Sequence, residues 1–550
     1  MAQGDITDAK KAFSTTIMMC IVSGLVLATV IIPMCYWGNI LWILGADNAS
    51  FKYAVWYVIG FFVGAPFFIG YTALFPIANL VNGKKLSAIS VGVVLSINVI
   101  GDVISGVIFK YGSGEVIVEN GKWAMLGIAL ATIFSFIVGT IILSFVFTSK
   151  KSCLKFSFKS VSIKTVGEIT LIGLPAGTKI IFIFLRGTIV NILFTNAYAW
   201  TGIPSYDSRV LFTALSAQSH ITPFVESITG GLIAASLSLS SIFYAEEDED
   251  SLDELLKLVI KSTFFVVLAL SIIYALCAGP LVQLYGVGNT TEEDSDLAKF
   301  MIEQSKIALV CDACTTPFIT LNAAFLAFFQ GTKRTKYAYA TTCLQSLILP
   351  LVGLTIFVFS FEFNGSVWVG IAAGFISYSF IHLLYAFIYS LTHKNKFKIN
   401  ARTFFFLPKS FGYTEDQRLK IQIKNIADVN EISNKVIAFC KKHKIDQPRL
   451  NNIAACSEEL ARSIVLSGFT RDRKKNHLCE LCVSYKKDKN NDIVLRLRDD
   501  CSLYNIEERA NHLYVNDDPA ANAALKLTYK YAKQVKYSNL LKTNNLVVTI

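Results

Sequence analysis

Ten apolar stretches, each long enough to cross about 30 Å of hydrocarbon as a helix, recur within the first 391 residues and fix the solvent in which this chain folds. They lie near 13–36, 53–80, 86–109, 123–147, 169–197, 209–243, 262–284, 301–329, 337–360 and 366–391. Polar punctuation such as "VNGKK", "KKSCLKFSFKS", "FYAEEDEDS" and "FQGTKRTK" separates them. With 53% hydrophobic residues, 41 Phe and a mean hydropathy of +0.50, a chain of 550 residues is too apolar for one soluble domain. A bilayer is its solvent.

The charged residues of the connections set an orientation. Alternate connections hold seventeen Lys and Arg, from Lys10 and Lys11 to Lys394, Lys396 and Lys398, and the opposite set holds five: Lys52, Lys110, Lys122, Arg209 and Lys299. This asymmetry predicts that both termini are cytoplasmic. The first twelve residues are polar and the apolar run after them is span-length, which reads as a first helix and not as a cleavable signal. Twelve cysteines scattered through spans and tail are expected to be reduced thiols.

After residue 400 the character changes. Residues 414–550 hold 24 Lys and Arg against 17 Asp and Glu, and no run there has the length to span a membrane. A soluble domain is expected, with its basic excess facing an anionic leaflet and no nucleic-acid recognition module. Between the parts, "HKNKFKINARTFFFLPKSFGY" mixes lysines with Phe404, Phe405 and Phe406, which suits either a connector at the headgroup boundary or a plain linker.

The apolar part also repeats. "QGDITDAKKAF" at 3–13 falls opposite "EEDEDSLDELL" at 246–256, an offset of 243; "ILGADNAS" and "LYGVGNTT" match at 241, and "VNGKK" and "FQGTKR" at 248. "NGKWAMLGI" at 120–128 matches "NGSVWVGIA" at 364–372 after one slipped position. Two related lobes follow, 1–165 with four spans and 166–395 with six, then a connector at 396–420 and a tail domain at 421–550. The first two spans of the second lobe have no counterpart in the first, so a complete two-lobe protein is expected to extend roughly 80 residues upstream of Met1.

Paired lobes, "ILGAD" before a span, "SINVIGDV" with Asn98 four before Asp102, "LIGLPAG" opening a span and "GGLIAA" ahead of an acidic loop resemble the multidrug and toxic compound extrusion (MATE) transporters over residues 1–395. The resemblance implies a two-lobe bundle of twelve helices around a cavity that faces alternately in and out. It also implies export driven by inward flow of Na⁺ or H⁺. This sequence departs from the pattern in lacking the first two helices, including the one where many members keep a cation-binding aspartate. Where relatives carry a coupling acid on the helix after "GLPA", this one offers Lys179 and Arg186, which leans toward anionic or amphiphilic cargo.

Ionisable residues inside spans are costly to bury and mark where coupling chemistry is sought. The candidates are Asp102, Lys179, Arg186, His220, Glu226, Asp312 and His382. Glu226 and Asp312 lead. Asp312 sits five residues before Pro317, whose missing N–H opens the local backbone. The competing reading of each is a structural contact, such as Glu226 with Arg186.

In the tail, "DVNEISNKVIAFCKKHKI" and "LNNIAACSEELARSIVLSGF" have helical spacing; "LCELCVSYKK", "NDIVLRLRDD" and "NNLVVTI" read as strands; "NAALKLTYKYAKQV" returns to helix. The order gives an α+β sandwich. It resembles the histidine-kinase-like ATPase fold, in the branch of anti-sigma-factor serine kinases, and that resemblance implies three nucleotide boxes. "EELARSIVLSGF" keeps Glu459, but Ser463 stands where an Asn would hold Mg²⁺. Asp499 matches the adenine-reading Asp, while Cys501 replaces the glycine that lets the backbone approach the base. The turn before the last helix offers Ala523 and Ala524 in place of glycines. Binding of ATP and Mg²⁺ is therefore doubtful, and no catalytic residue or metal site is assigned. "CELC" at 479–482 lacks the second pair that a zinc site needs.

The expectation is a polytopic α-helical membrane protein of about ten spans with a cytoplasmic α+β tail, in the plasma membrane among lipids. It is expected to be no enzyme but an ion-driven exporter of small amphiphilic molecules, with a tail that regulates or docks a cytoplasmic protein. A lipid-linked sugar flippase and a membrane-tethered signalling protein are the alternatives.

Overall fold

The computed structural model describes residues 6–36, 48–81, 83–111, 117–148, 154–284, 287, 295–361, 365–392, 400–408, 411–469, 476–485, 492–501, 528, 530–540 and 543–550. The chain forms two compact units, Met1–Glu246 with Leu256–Phe405, and Glu247–Leu255 with Phe406–Ile550.

The first unit is helical. One set comprises α1 (Ile6–Tyr36), α2 (Asn48–Val63), α3 (Ala65–Leu80), α4 (Lys84–Tyr111) and α5 (Ile117–Thr148). The other comprises α6 (Ile163–Thr201), α7 (Ser208–Ala245), α8 (Glu249–Ser262, whose first turns belong to the second unit), α9 (Leu268–Leu284), α10 (Ser295–Gly331), α11 (Thr335–Cys343), α12 (Leu349–Ser360) and α13 (Ser366–Thr392). Single π turns, Thr263–Val267 and Leu344–Ile348, join α8 to α9 and α11 to α12, so each pair runs as one long helix.

Among the described residues eight helices are long and apolar enough to cross a membrane, or nine if a bent pair counts as one. One of the ten expected spans differs. The stretch 53–80 is α2 and α3 meeting at 58°, because Pro66 in the first turn of α3 cannot donate back across the break at Gly64. The stretch 209–243 falls within one continuous helix, α7.

The first helix set packs around Phe13, Tyr71, Leu74, Leu143 and Phe147, the second around Phe194, Tyr206, Leu211, Leu354 and Trp368. α10 is the enclosed helix: 61% of its central window is buried, against 11–33% for the other span-length helices. Its sequence fits that place, because Gln304, Ser305, Asp312, Thr315, Thr320 and Asn322 are all buried and would be costly against lipid. Its polar groups find partners across the bundle: Trp368 Nε1 donates to Gln304 Oε1 at 2.9 Å, and Ser379 Oγ to Asn322 Oδ1 at 2.7 Å. α12 and α13 meet backbone to backbone, since a Cβ added at Gly370 would lie 2.6 Å from the Gly353 carbonyl oxygen.

The connector aromatics are buried. Phe404, in the short helix α14 (Ala401–Phe404), and Phe405 are 2% and 0% exposed. Phe405 stacks on Phe328 at 4.2 Å between ring centroids, and His382 lies 5.6 Å from Phe404. Packed against Phe325, Phe328 and Phe329, these rings bury their apolar area within the first unit.

The second unit is an α+β sandwich. Strands β1 (Arg418–Gln422), β2 (Cys479–Tyr485), β3 (Ile493–Asp499), β4 (Gln534–Leu540) and β5 (Thr543–Thr549) form one antiparallel sheet in the order β1-β2-β3-β5-β4. Helices α15 (Ile426–Asn430), α16 (Ile432–Lys442) and α17 (Gln447–Ser463) cover one face. Period-two alternation sends Ile421, Leu481, Val483, Leu495 and Leu497 into that core, with Val436, Ile453 and Leu460 from the helices. β4 occupies the end of the expected helix "NAALKLTYKYAKQV", where "QVKYSNL" alternates and pairs with β5.

Candidate functional site

Asp312 sits midway along α10, 7% exposed. Its Oδ2 accepts hydrogen bonds from Thr222 Oγ1 at 2.7 Å and Tyr274 OH at 3.0 Å, and Gln218 adds a side-chain bond. These donors come from α7 and α9. The Asp312 carbonyl in turn accepts from Thr315 Oγ1 at 2.8 Å and Thr316 Oγ1 at 2.9 Å, just before the turn that Pro317 leaves without its N–H. All these donors are neutral, and no ion pair reaches Asp312 among the described residues. Beside it a cavity of about 10 Å³, lined by Gln218, Thr315, Trp368 and Phe375, has the volume of one water or small cation. On another side of α10 lies an apolar cavity of about 380 Å³, lined by Phe264, Ile272, Ala313, Cys314 and Pro317.

The other candidates are not gathered around Asp312. Arg186 donates from Nη1 to the Ser346 carbonyl at 3.1 Å, in the π turn, and lies over the Phe375 ring at 5.0 Å. That ties α6 to α11, α12 and α13. Lys179, two turns before Arg186 on α6, is half-buried. Asp102 lies on α4, in the first helix set; its Oδ1 has no hydrogen-bond partner among the described residues, and nearby Asn98 donates to Thr132 Oγ1 at 2.8 Å. His382, buried on α13, is enclosed by Phe325, Phe329 and Phe404. Glu226 and His220 lie on α7, and their side chains are outside the described residues.

In the second unit the described residues of the expected nucleotide boxes make contacts with the chain's own groups. Asp499 Oδ1 accepts from Asn544 Nδ2 at 2.8 Å and from the Cys501 backbone N–H at 3.0 Å. Burial pushes its carboxyl above the usual range, against the pull of those bonds. Cys501 is buried, its Sγ 2.9 Å from where a Cβ on Gly468 would stand. Glu459 ion-pairs with Arg462 at 3.5 Å and lines an open cavity of about 230 Å³ with Ser433, Asn451 and Glu458. Neither Asp499 nor Ser463 lines it. Ala523 and Ala524 lie outside the described residues. These residues fit adenine poorly: Asp499 Oδ1 already accepts two bonds from the chain, and the Cys501 side chain stands where the base-admitting glycine would be. Cys479 and Cys482, three apart on β2, point to opposite faces and cannot share a metal.

One arrangement was not foreseen from sequence. The sheet face opposite the helices carries Arg418, Lys420, Arg496 and Arg498 at alternate positions, with Lys420, Cys482 and Arg496 in one row. Residues 247–255, the acidic link between α7 and α8, meet that face inside the same unit. Asp248, with no side-chain exposure, pairs with Arg496 Nη1 at 3.2 Å and with Arg498 Nη2. Arg498 also donates to Ser251 Oγ at 2.7 Å. Asp250 pairs with Lys420 at 2.6 Å and Arg418 at 3.5 Å, more openly. Burial alone would raise the Asp248 carboxyl, but the two guanidiniums outweigh it and hold it at about 2.

A multi-pass helical bundle with a buried carboxylate on its most enclosed helix has the layout of a membrane transporter core. Solved structures define it further: the chain carries the helical fold of the MATE transporters. An outward-facing multidrug resistance MATE family transporter of the MOP superfamily matches with a TM-score of 0.57 at 18% identity, over 72% of this chain and 81% of that one. A MOP superfamily transporter from Pyrococcus furiosus, described as having a binding pocket of reverse polarity, matches at 0.57 and 17%, over 72% and 82%. In sequence the chain is 24% identical over 354 residues to the multidrug export protein MepA of Staphylococcus saprophyticus, 63% of this chain and 70% of that protein. No family model matches.

Proposed function

We propose that the protein is a secondary active exporter of small amphiphilic compounds, drugs among them, driven by inward flow of Na⁺ or H⁺ through Asp312. The observation that carries this reading is an enclosed carboxylate held only by neutral donors from two other helices, within a MATE-type fold. A buried charge in a membrane protein is costly, and binding a proton or Na⁺ removes the cost. Neutralising Asp312 also weakens its bonds to Thr222 and Tyr274, so the ion biases how α7 and α9 pack on α10. Glu226, two helical turns past Gln218 on α7, is the second acid of the pathway. The tail is a cytoplasmic, ATPase-like shape with a regulatory role and no nucleotide chemistry, and the protein lies in the plasma membrane with both termini inside.

The test is ion-gradient-driven efflux in vesicles carrying Asp312→Asn at unchanged protein level. Loss of gradient-driven transport is expected; normal transport by the variant overturns the assignment.

A further inference from the structure

We propose that the open face of the C-terminal sheet is a receptor for the α7–α8 link of the same chain, and that the tail uses it to control the two helices that supply the donors to Asp312. An antiparallel sheet with helices on one face ordinarily turns its other face to water. Here that face carries four cations on two strands, and two of them converge on one fully enclosed carboxylate, Asp248. The register places them for it: Arg496 and Arg498 are two apart on β3, hence on one face, and both point away from the core that Leu495 and Leu497 enter. Asp250 and Ser251 complete the contact through Lys420 and Arg498.

The occupant follows from charge and connectivity. "EEDEDSLDELL" is the acidic run that matches this basic face, and its residues 247–255 cluster with the tail and not with the helical unit that flanks them on both sides. Immediately before it runs α7, which carries Gln218 and Thr222; it takes in the first turns of α8, which continues into α9, the helix carrying Tyr274. The tail thus grips the connection between the very helices whose side chains hold the Asp312 carboxylate. A change in the tail that releases the link frees those helices to move apart, and a change in Asp312 loading pulls on the tail, as linkage requires. The regulatory half of this proposal rests on the reading of Asp312 as the coupling carboxylate; the docking half does not.

Hydrogen exchange on the full-length protein in proteoliposomes separates the two. In Arg498→Glu, amides of 247–255 are expected to exchange at least tenfold faster, and amides of 215–225 and 268–278 at least threefold faster, with β5 still better protected than 247–255 as the check that the sheet is folded. The paired exchange Asp248→Arg with Arg498→Asp should restore all three. If β5 loses its protection altogether, the milder Lys420→Ala is read instead, with the same ordering at smaller amplitude. Unchanged exchange at 247–255 overturns the docking. A loosened link with 215–225 and 268–278 unchanged overturns the control of those helices. Normal efflux by Asp312→Asn would remove the coupling reading while leaving the docking result standing.

Discussion

Replacing Asp248 by Asn keeps the shape of the side chain and removes its charge. Asp248 is held at about 2 against an ordinary 3.8, which corresponds to roughly 2 kcal/mol of folded-state preference for the carboxylate at about 1.36 kcal/mol per pH unit. Two buried guanidiniums are then left facing each other, and breaking a buried pair typically costs about 3–5 kcal/mol. The second unit should therefore lose about 2–4 kcal/mol. For a unit of this size each kcal/mol moves Tm by about 2–4 °C, so a drop of about 4–16 °C is expected. The assay is denaturant-dependent hydrogen exchange of β3 and β5 in the full-length protein, which reads the opening free energy of the sheet. Asp250→Asn is the internal comparison: its pairs with Lys420 and Arg418 are about a third exposed, so its cost should stay under about 1 kcal/mol. Equal, small effects for the two variants would refute the claim that burial makes Asp248 the stronger pair.

The same carboxylate fixes a pH dependence. Its folded pKa is depressed, so its stabilisation is present above about pH 4 and is lost as pH falls toward 2; acid unfolding of the second unit should lose that component in Asp248→Asn. Gly370→Leu places a side chain against the Gly353 carbonyl and should lower detergent-extracted folded protein severalfold, while Gly92→Ala, whose Cβ meets nothing within 4 Å, should not. Mg-ATP added to the full-length protein should show no binding tighter than about 1 mM by calorimetry, about −4 kcal/mol, because Asn544 and Cys501 already hold Asp499; micromolar binding would contradict that account.

Much of the helical unit was legible because hydropathy reports length directly: most of the ten expected stretches fall on helices with ends within a few residues. Direction was not. Hydropathy counts apolar residues along 53–80 without noticing that Gly64 and Pro66 turn the path by 58°. Asp312 was legible from a buried acid near a proline, yet its partners were not, since Thr222 and Tyr274 are 90 and 38 residues away and a single sequence does not state pairing. The sheet face was missed for a related reason. "EEDEDS" reads as a solvated loop, and only the alternation of Arg and Lys in "RLKIQ" and "VLRLRD" hinted at one charged face awaiting an acidic partner. The packing of Phe404 and Phe405 was not legible because a single sequence does not name the rings that receive them.

The contact between Asp248 and Arg498 spans 250 residues of chain. At typical synthesis rates of about 5–20 residues per second, the acidic link leaves the ribosome some 12–50 s before the strand that receives it. During that interval the link has neither of the guanidiniums that enclose Asp248 in the finished fold, so its burial is the latest of the contacts made by the helical connections and waits on the synthesis of β3.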